Sequence, residues 1–208
     1  MRLIQYLDNH GQFDYERYRI AQIKGNHQKI ENTWVYKPTI KILSEYILAN
    51  IEVPKAGICH GTRRGNEQKW FREYLGPKID VIGTEISDTA AQFLYTIQHD
   101  FHERRSEWVS KFDFVYSNSW DHAYDPAKAF RVWVESLQPH GLLLLEHSMG
   151  HAQEYTSEMD PFGATFDELI EFLNEVGKGT FRVKDVIDKF DFSPPRMRAV
   201  KFVVVGFI

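Results

Sequence analysis

The run Ala56-Gly57-Ile58-Cys59-His60 leads directly into Gly61-Thr62-Arg63-Arg64-Gly65, and twenty residues beyond Gly65 stands Glu85, closing a second apolar run that starts at Ile79. An apolar run, a glycine-bounded turn, a helix-like stretch and a second apolar run ending in an acid are the layout of a nucleotide-binding β-α-β unit. Glycine has no Cβ, so it turns tightly and lets the backbone approach a ligand. The helix that follows aims its first N–H groups at the same place. An acid at the end of the second strand can accept both ribose hydroxyls. The pattern predicts a pocket for an adenosine-containing cofactor.

Composition narrows the class. A chain of 208 residues suits one domain with a sizeable core. With 43% hydrophobic and 26% charged residues it reads as an ordinary globular chain rather than a disordered or membrane one. The net charge is −4, and the basic pairs Arg63-Arg64 and Arg196-Met197-Arg198 are too short to form a field. Nucleic acid and membrane are therefore not expected as partners. The single cysteine, Cys59, allows no intrachain disulfide and is expected to be a buried strand residue. The N-terminus does not read as a signal peptide and no apolar run reaches membrane-span length, so a cytoplasmic location is expected.

Along the chain, residues 1–37 are polar and aromatic, and Tyr15, Tyr18, Ile20, Ile23, Trp34 and Tyr36 suggest a small helical lid. Residues 38–50 form an amphipathic helix with Ile40, Leu43, Ile47 and Leu48 on one face. Strands are predicted at 56–60, 81–85, 96–98, 112–116 and 142–146. Helices are predicted at 66–74, 88–94, 126 to about 137, and 165–176. Alternating strands and helices argue for a parallel sheet covered on both faces. The closing runs 181–187 and 199–207, joined through Pro194-Pro195 without a helix-length connection, argue for an antiparallel pair. One domain is expected, with residues 1–50 as lid and 51–208 as cofactor-binding core.

These residues resemble the class I S-adenosylmethionine-dependent methyltransferase family over roughly residues 50–208. Gly61 to Gly65 is similar to its glycine loop, with Arg63 at the middle glycine and Cys59 where the family carries an acid. Val81-Ile82-Gly83-Thr84-Glu85-Ile86-Ser87 resembles its ribose-binding strand, Gln98-His99-Asp100-Phe101 its adenine-reading acid, and Phe112 to His122 its reaction-side loop. Leu137-Gln138-Pro139-His140-Gly141 resembles its turn into strand five. The resemblance implies a Rossmann-like α/β sandwich with a mostly parallel seven-stranded sheet and an antiparallel last strand. It implies S-adenosyl-L-methionine as cofactor, held by Gly61, Thr62, Arg63, Gly65, Glu85, Ile86, Asp100, Phe101 and Asn118. Arg63 is the candidate for gripping the cofactor carboxylate in a guanidinium fork.

In such an enzyme the protein aligns the acceptor and removes its proton. His147 and Asp121 are the leading candidates for that step, with His122 beside them; histidine titrates near neutral pH. A metal held by Glu146, His147 and His151 with Asp121 or His122 is not expected, because a His-x-x-x-His pair shares a face only on a helix and Gly150 argues for a loop. Gln22, Asn26, Lys29 and Trp34 are candidates to reach inward from the lid, and Asp160-Pro161-Phe162-Gly163 reads as a turn framing the acceptor entrance. The expected activity is methylation, at oxygen, of a small polar or sugar-like acceptor, with a homodimer left open. Two alternatives are a non-catalytic cofactor-binding protein and an NAD-dependent oxidoreductase. The second fits less well, since Gly61-x-x-x-Gly65 is not Gly-x-Gly-x-x-Gly.

Overall fold

A computed structural model describes residues 1–189 and 200–208. In chain order the elements are β1 (Arg2–Leu3), α1 (Tyr15–Gln28), α2 (Lys37–Asn50), β2 (Ala56–His60), α3 (Asn66–Leu75), β3 (Asp80–Glu85), β4 (Thr96–Gln98), β5 (Phe112–Ser117), α4 (Pro126–Glu135), β6 (Leu137–His147), β7 (Phe162–Gly163), α5 (Phe166–Val176), β8 (Phe181–Ile187) and β9 (Lys201–Phe207). Local chemistry sets their ends. The Asp14 side chain accepts the Arg17 N–H at the start of α1, and the Asp125 side chain accepts that of Lys128 at α4. Thr165 and Glu168 form a reciprocal capping box at α5.

The main sheet has the order β4-β3-β2-β5-β6-β9-β8. Strands β2 to β6 run parallel; β9 is antiparallel to both β6 and β8. The expected mostly parallel, seven-stranded Rossmann-like sandwich with its antiparallel strand is therefore present. Every residue of β5 is buried, as a central strand covered on both faces requires. One apolar cluster, built on Trp120, Phe130, Trp133, Leu169 and Leu173, fills the α4–α5 face. The other, with Ile40, Leu43, Ile47 and Phe71, fills the α2–α3 face and contains Cys59. The strand order reverses between β2 and β5, and the carboxyl ends of these strands open a crevice there. Among the described residues no helix is long and apolar enough to cross a membrane.

Several expectations change. Leu48 is 47% exposed, because the buried stripe of α2 runs through Thr39, Ile40, Leu43, Ser44 and Ile47 and leaves it outside. The helix placed at 88–94 is a single 3₁₀ stretch, Asp88–Gln92. The helix starting at Pro126 stops at Glu135, and Leu137 already belongs to a strand that runs through Gly141 without a break. The short antiparallel pair β1–β7 is new. The connection containing Pro194-Pro195 lies outside the described residues, as does the start of the last predicted run.

At Gly57 the centre of the sheet has no spare room: an added Cβ would fall 2.2 Å from Cζ of Phe114 on the neighbouring strand. Gly57→Ala is expected to destabilise the protein by ~1–3 kcal/mol through overpacking. Urea denaturation reads this directly, and an unchanged midpoint would refute it.

Candidate functional site

The crevice is built first from backbone. After β2 the chain folds under β3, where the N–H groups of Gly61 and Thr62 both donate to the Thr84 carbonyl, at 2.9 and 3.0 Å. Gly61 has φ +71°, and a Cβ there would meet the Ser119 Cβ at 2.6 Å. The loops after β2 and β5 therefore touch, with the Ser119 hydroxyl donating to the Gly61 carbonyl at 3.1 Å. Gly65, at φ +70°, is the left-handed cap of α3 and lines neither lobe of the cavity described below. Arg63 also takes a positive φ, 41°, at the position where a glycine would cost nothing.

Glu85 is 7% exposed at the end of β3. Its two oxygens accept the N–H groups of Arg63 and Ser87, each at 3.1 Å. Burial raises its pKa, while these donors and the Arg63 charge pull the other way. Asp100 accepts from the Tyr15 hydroxyl at 2.9 Å and from the His102 N–H at 2.9 Å. Burial alone would raise its pKa, but the His102 ring and these bonds hold it below the usual carboxylate range. Glu85, Ile86, Asp100 and Phe101 line one narrow lobe of about 40 Å³, roofed by Tyr18, Gln22, Gly25 and Asn26 of α1. Gly61, Thr62, Arg63 and Asn118 line a larger lobe of about 290 Å³. Gly61, Arg63, Ser119, Lys29 and His122 belong to both walls, so the two lobes form one crevice.

The larger lobe carries an acidic and imidazole-rich group, Asp121, His122, Glu146, His151 and Asp160, with His122 shared with the narrow lobe. His122 Nδ1 donates to Gln22 Oε1 at 2.8 Å, and the Gln22 amide nitrogen donates to the Met159 carbonyl. That leaves His122 Nε2 facing Asp160 Oδ1 at 3.3 Å and Asp121 Oδ1 at 3.9 Å. His151 accepts the Ser148 N–H at Nδ1, so its Nε2 carries the proton donated to the Asn118 carbonyl at 2.9 Å. Asp121 is buried, which pushes its carboxyl up to about 7.

His147 goes elsewhere. Successive residues of β6 face opposite sides of the sheet, so Glu146 enters the cavity while His147 packs against Trp120 and Phe166. Its Nε2 bonds the Ala164 carbonyl at 2.9 Å, and burial lowers its pKa to about 4. The structure thus separates His147 from Asp121 and His122. The walls also carry Ser119, next to Asn118, and Asp160, from the turn expected at the acceptor entrance, and the structure adds Glu67. Glu67 had a sequence signal, an acid in the first turn of the helix behind Gly65. Nothing in the sequence pairs Asp160 with His122, far from it along the chain.

Buried polar atoms lacking a partner concentrate here. Among the described residues they are Asn26 Nδ2, Thr62 Oγ1, Glu67 Oε2, Gln68 Oε1 and Asp121 Oδ1, and all but Gln68 line the crevice. Buried polar groups are normally satisfied; a wall of unsatisfied ones suits a polar ligand.

No protein-family model matches the chain, and no curated protein matches its sequence. Solved structures do match. The plantazolicin methyltransferase BpumL, solved with S-adenosylhomocysteine, is 12% identical, with 92% of this chain and 95% of that one covered at a TM-score of 0.68. The Burkholderia thailandensis 1,6-didemethyltoxoflavin N1-methyltransferase is 15% identical, with 92% and 87% covered at 0.65. The sugar N-methyltransferase KedS8 of Streptoalloteichus is 14% identical, with 80% and 86% covered at 0.57.

Glu67 yields a stability prediction. Burial holds its carboxyl up to about 8, far above its ordinary value. The unfolded chain releases this proton near pH 4.5 and the folded chain only near 8, so ligand-free protein loses stability as pH rises across that window. Glu67→Gln removes the loss, and its margin over wild type should widen by on the order of 1 kcal/mol per pH unit. Urea titrations at pH 5 and pH 8 measure the two margins, and equal margins would refute the assignment. By the sheet order, the antiparallel strand and these structural likenesses, the chain has the fold of the class I S-adenosylmethionine-dependent methyltransferases.

Proposed function

We propose that this protein is an S-adenosylmethionine-dependent methyltransferase that acts on a small polar acceptor, at oxygen. The observation that carries the reading is convergence. Eight residues nominated by motif, Gly61, Thr62, Arg63, Glu85, Ile86, Asp100, Phe101 and Asn118, line one crevice at the switch point of the sheet. A resemblance confined to sequence would have no reason to gather them.

The residues fit the cofactor. Glu85 keeps lone pairs for the two ribose hydroxyls, since each oxygen accepts only one backbone N–H. Asp100 and Phe101 offer an acceptor and a ring at the base end of the same lobe. Arg63, Asn118 and the unpartnered Thr62 hydroxyl stand on the methionine side. The cofactor would supply an electrophilic methyl on a sulfonium, with a neutral thioether as leaving group. The chain's own task is then alignment and proton removal. Asp121 and His122, which line the larger lobe, are placed for that task; His147 is not. The polar lining there supports a polar acceptor.

α1 roofs the narrow lobe, so a bound adenosyl group would lie beneath it. This supports the reading of residues 1–50 as a lid over the core.

Calorimetry with S-adenosylmethionine and S-adenosylhomocysteine, with NAD as control, tests the function. Binding of the first two and not NAD is expected. Glu85→Ala should weaken it by on the order of 10²-fold or more, the worth of two hydrogen bonds to a charged group at roughly 1.5–3 kcal/mol each. Failure of the wild-type protein to bind either sulfur compound would sink the reading.

A further inference from the structure

We infer that Asp121, His122 and Asp160 form a binding site for a divalent first-row cation of the Mn²⁺ or Zn²⁺ class at the acceptor end of the crevice. Their ligand atoms all lie within 4.8 Å of one another and face the cavity. The outward atoms are already tied. His122 Nδ1–H is held by Gln22 Oε1, which directs the Nε2 lone pair inward. Asp160 Oδ2 accepts from the Ser157 hydroxyl at 3.1 Å and lies 3.6 Å from Lys29 Nζ, which leaves Oδ1 facing His122. Such outer partners orient the ligands in protein metal sites.

A second observation points the same way. Asp121 is 7% exposed, its Oδ1 has no hydrogen-bond partner, and that atom is the one directed into the cluster. A buried carboxyl without a donor is relieved by a proton or by a bound cation, and His151 Nε2, 3.9 Å away, is already engaged with the Asn118 carbonyl. His122 does not meet that need as a hydrogen-bonded ion pair: 3.3 Å to Asp160 and 3.9 Å to Asp121 exceed the ~2.7–2.9 Å of a charged N–H···O bond. The 3.3 Å between His122 Nε2 and Asp160 Oδ1 is what metal–ligand bonds of ~2.0–2.2 Å produce, and the 3.9 Å to Asp121 has to shorten on binding. A mixed imidazole and carboxylate set selects first-row cations over Mg²⁺ or Ca²⁺, which prefer oxygen alone. With the cation bound, Asp121 and His122 would serve as ligands in place of the proton-removing role proposed above.

The site makes a claim independent of methyl transfer and is tested without cofactor. Chelator-stripped protein is titrated with Mn²⁺ and the free ion is followed by electron paramagnetic resonance. One Mn²⁺ per chain is expected, displaced by Zn²⁺. Asp160→Asn and His122→Ala should each weaken Mn²⁺ at least tenfold, while Glu154→Gln, an exposed acid on a nearby turn, should not. Circular dichroism checks that each variant is folded. X-ray absorption on the Zn²⁺-loaded wild type gives a readout free of variants, and should show one imidazole among oxygen ligands. Absence of stoichiometric binding, undiminished binding in folded Asp160→Asn, or a Zn²⁺ shell without imidazole would overturn the assignment. S-adenosylhomocysteine binding by the stripped protein reports separately on the cofactor pocket.

Discussion

The site depends on how closely two loops approach. The Gly61 and Thr62 N–H groups share the Thr84 carbonyl, and Ser119 closes on Gly61 from the other side. Only a residue without Cβ fits between them. This junction sits where the strand order reverses, so it fixes the floor of the crevice and the position of both walls at once. From it follow the direction of Glu85, held by the next N–H groups along, and of Asn118, whose carbonyl is fixed by His151.

Around that junction the protein departs from the usual satisfaction of buried polar groups. Glu67 and Asp121 are desolvated acids, each with an unpartnered oxygen, within one crevice. Such groups lower the stability of the empty protein, and natural structures retain them where a ligand completes the bonding. The arrangement is asymmetric. Glu85 and Asp100 are well supplied with donors and ready to accept from neutral hydroxyl and amino groups. Asp121 has a buried oxygen without a donor and is better matched to a positive charge.

Much of this was legible in the chain. Glu85 announces itself as an acid ending an apolar run, and Gly61 as a glycine between a strand and a helix. Their distance in sequence is the length of one β-α-β unit, so local chemistry and topology agree. His147 was expected in a loop just after a strand ending at Glu146, whereas β6 continues to His147. Once the strand extends that far, alternation sends Glu146 into the cavity and its neighbour to the opposite face. Leu48 failed similarly: an apolar residue adjacent to Ile47 looks interior, but the helix rotates it 100° away. The meeting of Asp160 with His122 and the β1–β7 pair were not readable, because both arise from contacts between distant segments that carry no periodic or motif signal.

Arg63 shows how a departure from a glycine loop can be tolerated. Its left-handed backbone, φ 41°, costs roughly 1–3 kcal/mol for a residue with a Cβ. The turn requires that conformation so that the Arg63 N–H can reach Glu85. Glycine would meet the backbone requirement at lower cost but would bring no charge. Arginine adds a guanidinium to both lobes of a crevice whose walls otherwise carry several acids, and its Nη1 reaches the Asn32 carbonyl in the segment between α1 and α2. One residue therefore couples Glu85, the electrostatics of the crevice and the segment joining the two N-terminal helices.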